Sequence, residues 1–320
     1  MSENKSVSDG DKVALASLER KLHLVRDHST AVARGYKTGY YLYGLGGMGK
    51  SYTVLRHLES LQVPYQLYNS RMTAKGLFLT LLKAPDAIHV MEDMERLTKD
   101  PDAQGVLRSA LWAQPGHERT VTWTTAADGV QRFVFRGGLI LISNRPLADL
   151  PELRALATRI EVHRLEVTDA ELAALMRDLA GKGYRLQDTV AIGPEECLQV
   201  TEYLLKECRA VGCPLDLRLQ QKAFQSYLQY AADCSVSHWE DLVAASVREA
   251  TCHFRHEANT TSPEARKTQR RNILREIIGK VADAKGQEEL YMEQTGASRA
   301  DFFRRKREVQ SGEFDDHDQA

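Results

Sequence analysis

Eight consecutive residues, Gly44-Leu45-Gly46-Gly47-Met48-Gly49-Lys50-Ser51, constrain this chain more than any other stretch of it. They satisfy the pattern G-x-x-x-x-G-K-[ST] at every defined position, and each residue type answers a physical need. Glycines let successive backbone N–H groups turn inward around a phosphate. The lysine reaches the outer phosphate oxygens, and the serine hydroxyl is a ligand for Mg²⁺. Such a loop works between a strand and a helix, because the helix then aims its positive end at the anion. Both neighbours are here: Tyr40 to Tyr43 reads as a short apolar strand, and Tyr52 to Leu61 as a helix. The candidate phosphate-binding residues are therefore Gly44, Leu45, Gly46, Gly47, Met48, Gly49, Lys50, Ser51 and Tyr52.

A loop of this kind demands a sheet, and the rest of the first half supplies one. Tyr65 to Tyr68, Ile88 to Met91, Leu139 to Ser143 and Ile160 to Leu165 are further short apolar runs separated by helical or turn-rich stretches. Strands alternating with helices predict a parallel sheet with helices on both faces. Ahead of it, Val13, Leu15, Leu18, Leu22 and Val25 recur at three- and four-residue spacing and predict an amphipathic helix from Asp11 to about Arg34. One interruption is a β-hairpin: residues 120–125 and 132–136 alternate apolar and polar residues around an Asp128-Gly129 turn.

The run Ala87-Ile88-His89-Val90-Met91-Glu92-Asp93 ends in two carboxylates about 40 residues beyond Lys50. Hydrolysis of a nucleoside triphosphate needs one carboxylate near Mg²⁺ and another to polarise water. Glu92 is assigned to the metal shell with Ser51, and Asp93 to water activation. The competing assignment puts Asp93 on the metal and makes Glu95 the base. His89 reads as a packed strand residue.

After Leu165 the sequence reads as all-helical. Thr168-x-x-Glu171 is a capping box for a helix that Gly181 can stop, Pro194 suits the first turn of a second, residues 217–232 read as a third, and Ser237-x-x-Glu240 as the cap of a fourth. Asn259 to Pro263 is the linker candidate. Beyond it, residues 273–281, 287–294 and 298–309 predict three helices, the last two joined by Thr295-Gly296-Ala297 in a helix-turn-helix layout. Phe302 is expected to pack inward. Arg299, Arg304, Arg305 and Lys306 are the candidate DNA contacts, with Arg299 near the helix start best placed for a base edge. The expected organisation is an N-terminal helix (1–35), an α/β core (36–165), a helical lid (166–258), a linker (259–272), the small helical module (273–312) and an acidic tail (313–320).

Composition excludes several classes. At 320 residues, 42% hydrophobic and 27% charged, the chain has material for a sizeable core. Its densest apolar run, Leu139 to Ile142, is far short of a membrane span, so no membrane partner is expected. Five cysteines without a CxxC pair, and an N-terminus without a basic-then-apolar leader, point to the cytoplasm. Cys252-His253-x-x-His256 offers three ligands without a fourth and makes no zinc site. The net charge of -1 hides an asymmetry: residues 264–308 carry 12 Lys and Arg against 8 Asp and Glu, a surplus that suggests an anionic partner.

Taken together, the loop, the acidic strand end and residues 139–144 (LILISN) resemble the AAA+ class of P-loop ATPases over roughly residues 36–255. The resemblance implies ATP and Mg²⁺ as ligands, and Asn144 as the polar tip of the strand between the phosphate and carboxylate loops. It also implies Arg159, with Arg154 as second choice, as a finger reaching a neighbouring subunit, hence a homo-oligomeric ring or filament. Arg218, in DLRL at a helix start, would contact the nucleotide from the lid, and the hairpin resembles one found in DNA-handling members. The loop also resembles that of NB-ARC ATPases, whose long repeat arrays have no room here, and the module resembles that of enhancer-binding activators, whose GAFTGA loop is absent. Helix 298–309 resembles Fis-like recognition helices. The implied function is an ATPase acting on duplex DNA in replication, recombination or mobile-element maintenance. Alternatives are a nucleotide-gated DNA-binding regulator and a protein remodeller docking an adaptor through its basic C-terminus.

Overall fold

The computed structural model describes residues 8–69, 72–93, 97, 100–125, 129–147, 154–186, 189–260, 270–271, 273–275, 277–278, 281, 283–295 and 297–311. Glu95, residues 261–269 and the acidic tail lie outside this set, as do the side chains of Arg154, His253 and His256. The chain forms two compact units that divide at Val247/Arg248.

The first unit is built on a five-stranded sheet. Strands β1 (Gly39–Tyr43), β2 (Tyr65–Tyr68), β3 (Ile88–Glu92), β6 (Gly138–Ser143) and β7 (Glu161–Arg164) are ordered β2-β3-β6-β1-β7, and every neighbouring pair is parallel. Side chains alternate across a strand, so each sends odd and even residues to opposite faces. Tyr41, Met91, Leu139 and Leu141 go to one side, packing with Phe78 and Leu81 of α3 (Ala74–Lys83) and Val106, Leu107 and Leu111 of α4 (Pro101–Leu111). Tyr40, Leu42, Val90, Ile140 and Ile142 go to the other, against Val25 and Val32 of α1 (Asp9–Ala33) and Val54 and Leu58 of α2 (Lys50–Ser60). Burial on both faces explains why these strands read as unbroken apolar runs. Short α5 (Arg154–Ala157) precedes β7.

The hairpin, β4 (Thr120–Thr125) and β5 (Gly129–Val134), forms its own antiparallel pair. It is anchored by Trp123 and Phe133, whose ring centroids lie 6.0 and 5.4 Å from that of Phe78.

Helices α6 (Asp169–Ala180), α7 (Pro194–Val211), α8 (Leu217–Ala231) and α9 (Trp239–Thr260) follow. Between α6 and α7 the structure inserts a second hairpin, β8 (Tyr184–Leu186) with β9 (Thr189–Ile192), where the sequence pattern predicts only helices. Helix α9 is capped one residue later than expected: the N–H groups of Asp241 and Leu242 donate to the carbonyl of His238, not to Ser237. That phase buries Trp239 against Tyr203 and Tyr227.

Thr168 and Glu171 form the expected capping box. Glu171 also receives bonds from Ser17 and Lys21 of α1, each at 2.7 Å. Burial works to raise its pKa, but Lys21, the Thr168 N–H and Ser17 outweigh it and hold the carboxyl down at about 2. Helix α1 thus touches the lid at one end and the sheet at the other.

In the second unit, α10 (Ala284–Thr295) and α11 (Arg299–Ser311) enclose a small core of Leu274, Ile277, Tyr291, Ala297 and Phe302. Among the described residues no helix is long and apolar enough to cross a membrane.

Candidate nucleotide site

In an open parallel sheet, ligands sit beyond the carboxyl ends of the strands. The register brings three such ends level: Tyr43 of β1 pairs Ser143 of β6, and Glu92 of β3 pairs Ile142 of β6. The residues that follow, Gly44, Asn144 and Asp93, therefore emerge side by side. Two glycines of the loop, Gly47 and Gly49, have φ of 68° and 78°, left-handed values that favour glycine. With Gly49 as its cap, α2 begins at Lys50.

Lys50 is 6% exposed. Its ammonium donates to the carbonyls of Gly44 at 2.8 Å and Leu45 at 2.7 Å, and to Oδ1 of Asn144 at 3.0 Å. The middle strand's tip thus grips the loop's cation. Burial pushes the lysine's pKa down to about 8, aided by Arg218 and opposed by Asp93, Glu92 and Asp216.

Glu92 and Asp93 both face the cavity, although neighbours on a strand point opposite ways. Asp93 gets there by leaving the strand in a left-handed turn, φ 50°, a conformation aspartate tolerates better than most residues. Its N–H donates to the Ile142 carbonyl at 3.1 Å. Glu92 Oε1 is buried and makes no hydrogen bond. Such an atom costs stability unless something of opposite charge meets it. A hard cation shared with the Ser51 hydroxyl fits that need.

The cavity has a volume of about 690 Å³ and is lined on the sheet side by Gly47, Met48, Gly49, Lys50, Ser51, Tyr52, Glu92, Asp93, Ile142 and Asn144. Leu179, Tyr184, Arg185, Leu217, Arg218 and Gln221 line it from the lid. The lid is fastened to the loop: the Leu217 N–H donates to the Gly47 carbonyl at 3.1 Å. A Cβ on Gly47 would lie 1.9 Å from Oδ1 of Asp216, so this glycine leaves room for the lid as well as supplying its backbone conformation. Asp216 caps α8, accepting from the Arg218 N–H at 2.6 Å.

Of the residues read from sequence, Gly47 through Tyr52, Glu92, Asp93, Asn144 and Arg218 share the cavity. Gly44 and Leu45 serve it through Lys50, and Gly46 lies beside Arg218. Arg159 stands apart, its guanidinium 5.6 Å from the Trp112 ring centroid. Asp216, Leu217, Gln221 and the β8 residues Tyr184 and Arg185 were missed; an aspartate just ahead of a helix was the available signal for Asp216.

The second unit corrects one expectation. Arg305 is not available to DNA: its side chain is 5% exposed and ion-paired with Glu308 at 2.6 Å. Arg305 Nη2 also lies 3.5 Å from Asp301. Lys306 is half turned inward, donating to Gln287 at 2.7 Å over the Phe302 ring. Arg299 and Arg304 remain exposed, paired with Glu288 and Asp301 respectively.

No protein-family model matches the chain, and no curated protein is significantly similar to it. Among solved structures it is similar to NtrX from Brucella abortus in complex with ATP: 14% identity and TM-score 0.44, over 97% of this chain and 69% of that one. It is also similar to Cdc6p from Pyrobaculum aerophilum, at 14% identity and TM-score 0.43 over 97% of this chain and 88% of that one. Similarity at this level concerns the course of the chain and decides nothing about chemistry.

Proposed function

We propose that the chain is an ATP-binding and ATP-hydrolysing enzyme of the AAA+ type that acts on duplex DNA. The single observation that supports it best is the buried Lys50, held between the loop carbonyls and Asn144, facing a buried carboxylate oxygen of Glu92 that has no partner. A site with one desolvated cation and one orphaned anion suits a ligand carrying phosphates and Mg²⁺ together.

Lys50 and the N–H groups of Gly46 to Ser51 hold the β- and γ-phosphates, and Arg218 reaches them from the lid. Ser51 and Glu92 hold Mg²⁺, which when bound neutralises the developing phosphate charge. Asp93 orients water and takes its proton; Asn144 keeps Lys50 and the water in register. Arg159 of a neighbouring protomer, in a ring or filament, stabilises the transition state. The second unit supplies the grip on duplex DNA.

The test is the ATP hydrolysis rate with and without duplex DNA, with Lys50→Ala as the blank. A Lys50-dependent rate that climbs several-fold with DNA is expected. A negligible rate with intact nucleotide binding would leave a nucleotide-gated regulator. A Lys50-dependent rate indifferent to DNA would point to a protein substrate. Mixing Arg159→Ala subunits with Lys50→Ala subunits tests the shared site, since only such mixtures regain activity if the finger acts between protomers.

A further inference from the structure

Helix α11 sorts its side chains by charge. Asp301, Phe302 and Arg305 are buried. Asp301 is the hub of the buried side, accepting from Tyr291 at 2.9 Å and Arg270 at 3.2 Å and pairing with Arg304. Glu308, the helix's other acid, is taken up by Arg305. The opposite face carries Arg299, Ala300, Phe303, Arg304 and Arg307, all exposed. Positions 299, 303 and 307, and likewise 300 and 304, are four apart and lie on one face. That stripe has three arginines, Arg299, Arg304 and Arg307, and no carboxylate of its own.

In the middle of this cationic stripe stands a phenylalanine. Phe303 is 43% exposed, although Phe302 beside it fills the core and is 1% exposed. The Arg299 guanidinium sits 5.6 Å from the Phe303 ring centroid, and Glu288 holds that arginine upright from α10 at 2.9 Å. From 299 to 307 the stripe runs about 12 Å along the helix at 1.5 Å per residue, and a helix about 10–12 Å across fits a major groove about 12 Å wide. The groove's one apolar group is the thymine 5-methyl, and its walls are phosphates.

We propose that Phe303 is a base-contacting residue that packs on a thymine 5-methyl, with Arg299 stacked against it on the adjoining base edge and Arg304 and Arg307 on the flanking phosphates. This rests on the DNA-binding reading above and gives it a chemical preference: duplex containing thymine at the contacted step.

The experiment measures binding of the full chain to alternating poly(dA-dT) and poly(dA-dU) duplexes by fluorescence anisotropy over a range of salt. The two differ by the methyl group. The thymine polymer is expected to bind about fourfold more tightly, the worth of one buried carbon. Phe303→Ala should erase the preference and Phe303→Leu, which keeps an apolar tip, should retain it. Arg307→Ala should weaken both polymers equally and lower the salt slope by about one. Equal binding of both polymers by the unaltered chain, or a preference that survives Phe303→Ala, overturns this inference while leaving DNA binding in place. Failure to bind either polymer overturns the DNA-binding reading itself. If Phe303→Ala instead breaks self-association in sedimentation and leaves duplex binding unchanged, the stripe is a protein contact and the inference falls.

Discussion

The candidate nucleotide cavity and the C-terminal module both concentrate charge, and they treat it in opposite ways. In the cavity, Lys50 is desolvated with only carbonyl-type partners and Glu92 Oε1 has none. In the module, Asp301 is surrounded by Arg270, Tyr291, Arg304 and Arg305. Burial works against its charge, yet those hydrogen bonds and cations keep its carboxyl below the usual range. A charge left wanting marks a place for a ligand, and a charge fully met marks a structural joint. The difference is invisible to a count of charged residues.

The largest expected effect tests the joint. Asp301→Asn leaves Arg270 and Arg304 beside a neutral group, while Arg305 keeps Glu308, and should cost about 3 kcal/mol, read as a loss of hydrogen-exchange protection across α10 and α11. Protection unchanged from the parent chain would mean that the hub contributes nothing. Next comes the cavity's cation: Lys50→Ala should lower nucleotide-dependent turnover by about 10²–10³-fold without lowering the melting temperature, since the ammonium is buried at a cost.

How much of this contrast could be read beforehand depends on the residue. The loop, the strand ends and both cavity carboxylates were legible because a phosphate site fixes residue types at fixed spacing, and because strands buried on both faces are continuous apolar runs. Arg305 was misjudged although the signal was present: once Phe302 is placed inward, a residue three further along the helix shares its face. The β8–β9 hairpin gave no such signal. Its strands are three and four residues long, too short for a period of two to show, and they fall between a helix opened by a capping box and one opened by Pro194. Asp216 was passed over for its neighbour Arg218 because a packing contact with Gly47 depends on how the lid folds back, which no local pattern encodes.

A smaller effect sharpens the cavity side of the comparison. Lys50 has a pKa of about 8, and a bound polyanion raises it, so nucleotide binding takes up a proton above that pH. Affinity should be flat below pH 8 and fall about tenfold per unit above it, by calorimetric titration in buffers of differing protonation enthalpy. Affinity that stays level to pH 9.5 would show that Lys50 is already charged in the free chain. Smallest of all in stability is Glu92→Gln, which removes an unmet charge and should leave stability unchanged or raise it by about 1 kcal/mol, although it abolishes turnover. A fall in melting temperature would mean that Glu92 is a structural residue like Asp301.

The stacking of Arg159 on Trp112 also gives the molecule an optical reporter. The chain has three tryptophans; Trp239 is buried and Trp112 is 44% exposed. Any event that draws Arg159 away leaves the Trp112 indole in water without its cation, shifting the redder part of the emission and opening it to quenching by iodide. The assembly proposed above, if it draws on Arg159, can therefore be followed by the chain's own fluorescence, with no label added.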